Sequence, residues 1–192
     1  IAKGDIAREA LPKNMSFVLA TTDPAQLRDT ILNRLRKISL VPYTIHEKIQ
    51  IALAHLGEHG INSNTVVGQA LAQRARSIRH LKTELCEVFM DIQSLYGGSH
   101  DDVMNTLDDM LGIDADGAND IDRDYMEYLA QNNTVGLETM AGKLQVDKAE
   151  LTKTVEPFLL EKGWVMITGR GRRLTSAGFQ KISGDPDAVA PE

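Results

Sequence analysis

The sequence predicts a mostly α-helical protein with a small α/β part at its start and a winged helix-turn-helix at its end. Three observations carry this reading. A short apolar run over 16–21 stops at Thr21-Thr22-Asp23-Pro24 and is followed by a helical pattern, the order of an α/β unit. Residues 44–111 then show only helical periodicities, broken at glycines. From 121 onward, three helical stretches precede two short extended runs around Gly169-Arg170-Gly171.

The run Ser-Phe-Val-Leu-Ala-Thr at 16–21 reads as a buried parallel strand, with buried helix as the alternative. Over 26–37, Leu27, Ile31, Leu32 and Leu35 share one helical face, with Arg28, Arg34, Arg36 and Lys37 outward. Residues 38–43 read as a second short strand. Thr44 and Glu47 form a capping-box pattern, and Ile45, Ile49, Leu53 and Leu56 hold one face of the helix behind it. That helix stops near Gly57 or Gly60. Further helices are expected over about 64–75, 77–96 and 100–111.

Residues 112–120, rich in Gly and Asp, read as a linker. Ile121, Tyr125, Tyr128 and Leu129 then mark a helix over 121–131, and a shorter one covers 136–144. Asp147 caps a third, with Leu151, Val155, Phe158 and Leu159 inward and Pro157 expected to kink it. Strands are expected over 164–167 and 172–175, joined by a turn, and a last helix runs to Ile182. The domain reading is therefore 1–43, an α/β part; 44–112, a helical domain; 120–183, a winged helix; and 184–192, a disordered tail.

The 192 residues carry 21 basic and 27 acidic side chains, a net charge of −6, which speaks against a protein that coats nucleic acid over its whole surface. The distribution is uneven. Residues 1–100 hold 12 basic and 9 acidic groups; residues 101–192 hold 9 and 18. Inside the acidic half, 162–175 contains Lys162, Arg170, Arg172 and Arg173 and no acid. A basic arm on an acidic body can touch phosphate locally. No uninterrupted run of about 18 apolar residues exists, so no membrane span is expected. One cysteine, Cys86, fits a reducing, cytoplasmic compartment.

Several constellations are candidates for chemistry. The phosphate-loop pattern G-x-x-x-x-G-K-[ST] is absent. Val88-Phe89-Met90-Asp91 has the bulk of a magnesium-binding strand end but lies in a helical stretch. His55-Leu56-Gly57-Glu58-His59 has the H-x-x-E-H spacing of inverted zinc proteases. That chemistry needs both imidazoles on one face of a continuous helix. Gly57 and Gly60 point instead to a fraying end with solvated histidines, and no metal site is expected. Arg34 and Arg79 each read either as a solvated surface charge or as an anion clamp, because a guanidinium matches phosphate oxygens in fork geometry. In the arm Lys162–Thr175, glycines allow a tight hairpin tip with arginines around it, suited to a DNA backbone; the alternative is a solubilising turn. Tyr125, Tyr128, Phe158 and Trp164 fall at core-facing spacings and read as packing groups.

Three segments resemble the C-terminal winged helix of the RuvB family of Holliday-junction branch-migration motors. They are Val-Gly-Leu-Glu-Thr-Met-Ala (135–141), Val-Glu-Pro-Phe-Leu-Leu-Glu-Lys-Gly-Trp (155–164) and Gly-Arg-Gly-Arg-Arg-Leu-Thr (169–175). Ile-Asp-Arg-Asp-Tyr-Met-Glu-Tyr-Leu (121–129) resembles the segment that opens that domain. Upstream, Val-Leu-Ala-Thr-Thr-Asp-Pro (18–24), Thr-Ile-Leu-Asn-Arg-Leu (30–35) and Ser-Ile-Arg (77–79) resemble the sensor 1, arginine-finger and sensor 2 motifs of an AAA+ ATPase. The stretch from sensor 1 to the finger also resembles bacterial clamp-loader subunits.

The resemblance implies an AAA+ remnant over 1–43, a helical lid over 44–112 and a DNA-binding winged helix. It assigns Arg34 as the catalytic finger, Thr21, Thr22 and Arg79 to the nucleotide, and Lys162, Arg170, Arg172 and Arg173 to DNA. It implies ATP and magnesium as cofactors of a parent protein, a homo-hexamer, four-way junction or duplex DNA bound without sequence preference, and a junction-binding partner protein. The phosphate loop and the magnesium-holding strand of such motors have no counterpart in this sequence. The expectation is the C-terminal portion of a longer motor, inactive as an ATPase alone. A non-enzymatic winged-helix adaptor and a clamp-loader-like subunit are the competing readings.

Overall fold

The computed structural model describes residues 16, 18–21, 27–185 and 188. It divides into two compact units, 1–42 and 43–192.

In the first unit, the described residues hold one helical turn, α1 (Asp29–Leu32). The readings of 16–21 and 38–43 as strands are corrected, because the described residues there are neither strand nor helix. Val18 and Leu40 are 95% and 92% exposed. A parallel strand is held by neighbours on both edges and covered on both faces. Among the described residues no such neighbour is present. The expected helix over 26–37 shrinks to α1 for a related reason. On its face Ile31 is exposed and Leu27, Leu32 and Leu35 are only half-buried, and a short helix with little packing is marginal in water.

The second unit begins with α2 (Ile45–Glu58). Thr44 and Glu47 close the capping box: the Glu47 N–H donates to Thr44 Oγ1 at 3.3 Å, and the Thr44 N–H donates to Glu47 Oε2 at 2.8 Å. The helix runs through Gly57, so the expected fraying there does not occur. Its inner face is also rotated from the expected one. Lys48, Ala52, His55 and Leu56 are buried, while Ile45 is half exposed. Ile49 and Leu53 pack instead towards Gly68 of α3 (Thr65–Arg74); a Cβ there would lie 2.9 Å from Leu53 Cγ.

Next, α4 starts at Ile78–His80, widens into a π-helical stretch over Leu81–Cys86 and continues as Glu87–Tyr96. α5 (His100–Leu111) follows, capped by Ser99. These helices enclose a core that includes Leu56, Leu71, Leu81, Leu85, Phe89 and Leu107.

The winged helix has its own core, which includes Tyr125, Met126, Leu129, Met140, Leu151 and Leu159. Its elements are α6 (Asp120–Asn132), α7 (Leu137–Leu144) and α8, which starts at Lys148–Glu150, widens over Leu151–Val155 and continues as Glu156–Glu161. Pro157 sits just past the wide turn. There its missing N–H and its ring are accommodated without ending the helix. Strands β1 (Val165–Thr168) and β2 (Gly171–Leu174) pair antiparallel, with Val165 opposite Leu174 and Thr168 opposite Gly171. Val135 bridges to Arg172 as a third, one-residue strand. α9 (Ser176–Ser183) closes the domain, and Gly184 caps it with φ +68°. Most of the 184–192 tail lies outside the described residues.

The segment 112–120 is a packed turn, not a loose linker. Asp114 accepts from the N–H groups of Asp116 (2.9 Å) and Ala118 (3.0 Å), and Ala118 is fully buried. Gly117, at φ +84°, lies so close to α3 that a Cβ would meet Arg74 O at 2.3 Å.

Candidate nucleic-acid interface

A winged helix presents its third helix and its hairpin to a nucleic acid, so the site is built from α8, β1, the turn at 169–170 and β2. The buried side of α8 (Leu151, Val155, Phe158, Leu159) anchors it to α6. Lys148, Thr152 and Lys153 are left on its exposed side. Lys148 forms an ion pair with Glu138. Lys153 has no ion-pair partner among the described residues. Lys153 and Thr152 were missed by sequence reasoning. The signal was available, since both fall at outward spacings on the third helix of a winged helix.

The hairpin tip is fixed locally. Thr168 Oγ1 donates to Gly171 O at 2.9 Å and accepts from the Arg170 N–H at 3.3 Å. Gly171, at φ +140°, lets β2 approach Val135, whose carbonyl oxygen would lie 2.6 Å from a Cβ. Arg170 stands exposed at the tip with no ion pair among the described residues. Met166 and Ile167 are exposed beside it on β1.

The four basic residues expected at DNA are not equivalent. Arg172 is turned inward. Its Nε donates to Glu156 Oε1 at 2.8 Å and its Nη2 to Glu156 Oε2 at 3.1 Å. Tyr125 Oη donates to the same Glu156 Oε1 at 2.9 Å. The bond to Glu156 holds the Arg172 guanidinium above its ordinary pKa, and burial, then the Glu156 charge, pushes the Tyr125 phenol up. Arg172 therefore ties β2 to α8. Two of its donors are engaged inside the domain, which leaves it less available to DNA than Arg170.

Lys162 is likewise away from the hairpin tip, at the end of α8. Its Nζ donates to Gln73 O of α3 at 2.5 Å and lies over the Phe158 and Trp164 rings, at 5.4 and 5.7 Å from their centroids. Burial there lowers its pKa. It serves as a strut between the helical domain and the winged helix. Arg173 is half-buried on β2. Of the four, Arg170 is the one fully presented to solvent.

Other contacts join the two domains in the same region. Arg76 pairs with the fully buried Asp122, donates to Gly117 O at 3.2 Å and stacks 4.2 Å from the Phe158 centroid. Lys48 reaches Glu161 at 2.6 Å. Lys181 pairs with Asp114 at 3.0 Å and also with Asp116.

The candidate nucleotide-contact residues lie elsewhere. Arg34 and Thr21 are exposed in the first unit; Arg79 is exposed on the opening turn of α4; Thr22 lies outside the described residues. A surface cleft of the winged helix is lined by Asp124, Glu127, Tyr128, Gln131, Lys143, Leu144 and Gln145. It contains none of these residues, and its acidic lining repels phosphate. Exposed guanidinium groups suit contact with a phosphate from outside.

A helical bundle packed on a winged helix, with a basic hairpin tip, is the class of module that this fold defines. Residues 115–183 match the RuvB C-terminal winged helix domain. Over 191 residues the chain is 30% identical to the Holliday junction branch migration complex subunit RuvB of Prochlorococcus marinus, covering 95% of this chain and 54% of that protein. It is 26% identical to that of Kosmotoga olearia, covering 95% and 56%. A solved single-residue variant of Thermotoga maritima RuvB shares the fold, with a TM-score of 0.72 at 23% identity over 85% of this chain and 56% of that one. The chain is similar to the C-terminal portion of those proteins, carries the RuvB C-terminal winged helix domain at 115–183, and spans about half the length of the curated relatives that it matches. Among the described residues, no helix is long and apolar enough to cross a membrane.

Proposed function

We propose that this chain is the lid and DNA-tracking end of a RuvB-type motor that drives branch migration of four-way junctions in recombination and repair. The observation that carries this reading is the exposed Arg170 on a hairpin braced from below by Arg172, Glu156 and Tyr125, inside the segment that matches the RuvB winged helix. A braced tip holds its charge at a set distance from the domain. It can donate to phosphate oxygens without reading bases. Lys153 and Thr152 are also exposed, on α8, the third helix of the winged helix.

The parent protein would use ATP and magnesium, act as a homo-hexamer in the cytoplasm and work with a junction-binding partner. Arg34 would reach the nucleotide of the neighbouring subunit as a finger, Arg79 the γ-phosphate within its own, and Thr21 and Thr22 would line the nucleotide's edge. ATP would supply the driving reaction. The part this chain contributes is charge placed at the phosphates, and movement of the winged helix along with the lid through Arg76, Lys48 and Lys162.

Fluorescence anisotropy on a four-way junction and two duplexes of unrelated sequence tests the DNA reading. The two duplexes should bind within about threefold of each other and weaken steeply with salt. A preference for one duplex on the order of 10³-fold would mark a sequence-specific adaptor instead.

A further inference from the structure

We propose that His55, His59 and Glu87 form a binding site for a divalent transition-metal ion, zinc foremost, that staples the end of α2 to α4. The ligating atoms of these three side chains lie within 4.8 Å of one another. The site is separate from the DNA surface and rests on different residues.

Each ligand is placed by the fold. His55 is buried, one turn before the end of α2, and its Nε2 lies 3.3 Å from Glu87 Oε1 on α4. That separation is long for a charged hydrogen bond. It is also the edge of a tetrahedron whose donors sit about 2.0–2.1 Å from its centre, which computes to about 3.3 Å. His59 is the C-cap residue of α2, and its Nδ1 lies 2.9 Å from the His55 carbonyl oxygen. A carbonyl only accepts, so Nδ1 carries the proton and Nε2 keeps its lone pair. A backbone carbonyl fixing the tautomer in this way is the usual support behind a ligating imidazole. The two rings meet edge to face, 4.7 Å between centroids.

A second observation points to the same place. His55 Nδ1 is buried and has no hydrogen-bond partner, which is costly for a polar atom. Glu58 Oε2 stands 3.8 Å from it. A small side-chain movement would make Glu58 the carboxylate behind the ligating His55, completing a carboxylate–histidine–metal arrangement.

Two imidazoles and one carboxylate favour zinc, cobalt or nickel over magnesium or calcium. Cys86, next to Glu87 in sequence, is not a ligand, because it is buried in the core and burial pushes its thiol up to about 12. His59 and Glu87 face solvent, which leaves a fourth position for water. The H-x-x-E-H spacing thus delivers two of the ligands, but the third comes from another helix and Glu58 is a supporting group.

The test uses the untagged chain in metal-free buffer. Zinc should raise its melting temperature with micromolar or tighter affinity, and cobalt should give visible absorption of tetrahedral type. His59→Ala and Glu87→Gln, both at exposed positions, should each weaken zinc binding at least about tenfold. His46→Ala and His100→Ala should leave it unchanged. Absence of micromolar zinc binding overturns the proposal, as does binding that survives in His59→Ala and Glu87→Gln.

Discussion

Arg172 and Glu156 are joined through two hydrogen bonds, and the pair lies inside the winged helix with side chains 16% and 4% exposed. Removing one partner of such a pair leaves the other buried and uncompensated. Arg172→Ala should therefore destabilise the protein by about 3–5 kcal/mol in urea unfolding. Glu156→Gln in the same background should recover part of that loss, whereas Arg170→Ala should stay within about 0.5 kcal/mol of the parent. Equal effects of Arg172→Ala and Arg170→Ala would show that Arg172 is a surface charge.

Gly117 sits where the turn before α6 meets the backbone of Arg74. Gly112 has a similar positive φ, +61°, but open space around it. Gly112→Ala should cost about 1 kcal/mol, the price of a left-handed alanine. Gly117→Ala adds a backbone clash that no rotamer change relieves and should cost clearly more. Chemical denaturation of the two variants side by side checks this; indistinguishable midpoints would mean that the turn is not packed as described.

Burial works to raise the Asp114 carboxyl, but the Ala118 N–H, Lys181 and the Asp116 N–H outweigh it and hold the group below the usual carboxylate range. A depressed folded-state pKa contributes stability above the unfolded value, about 3.9, and loses it as pH falls through the folded value. The melting temperature should fall with acid below about pH 4. Asp114→Asn should lower the neutral-pH melting temperature and shrink the acid-dependent part. An unchanged acid limb in Asp114→Asn contradicts the assignment.

Arg34 is tested in a longer protein that carries this chain together with a phosphate loop. A finger acts on charge that develops only in the transition state. Arg34→Ala should lower ATP turnover by on the order of 10³-fold or more while leaving nucleotide binding nearly intact. Subunits that keep Arg34 but have a dead pocket should partly restore turnover when mixed in. Near-parental hydrolysis by Arg34→Ala would place Arg34 among ordinary surface charges.

Local signals carried the helical parts well. Thr44 with Glu47 and Asp147 before Lys148 mark helix starts that the structure keeps. Of Tyr125, Tyr128, Phe158 and Trp164, read as packing groups, three are buried, whereas Tyr128 is half-buried and lines a surface cleft. What sequence could not show was pairing across distance. Glu156 stands between Val155 and Pro157 and looks like a solvated acid, until α8 turns it towards Tyr125 and Arg172. The same limit hid Glu87 behind His55, 32 positions apart. The apolar runs at 16–21 and 38–43 were over-read. A buried parallel strand exists only with the neighbours that cover it.

The most direct test of the central claim, that the braced hairpin tip meets the phosphate backbone, is the salt dependence of duplex binding. Anisotropy titrations across a range of salt concentrations give log K against log salt for the parent, Arg170→Ala and Arg172→Ala. Arg170→Ala should reduce the steepness of that slope by about one unit and weaken two unrelated duplexes and a four-way junction equally. Arg172→Ala, measured where it remains folded, should keep the parental slope. Parental affinity and slope in Arg170→Ala, with the slope lost in Arg172→Ala, would contradict the account.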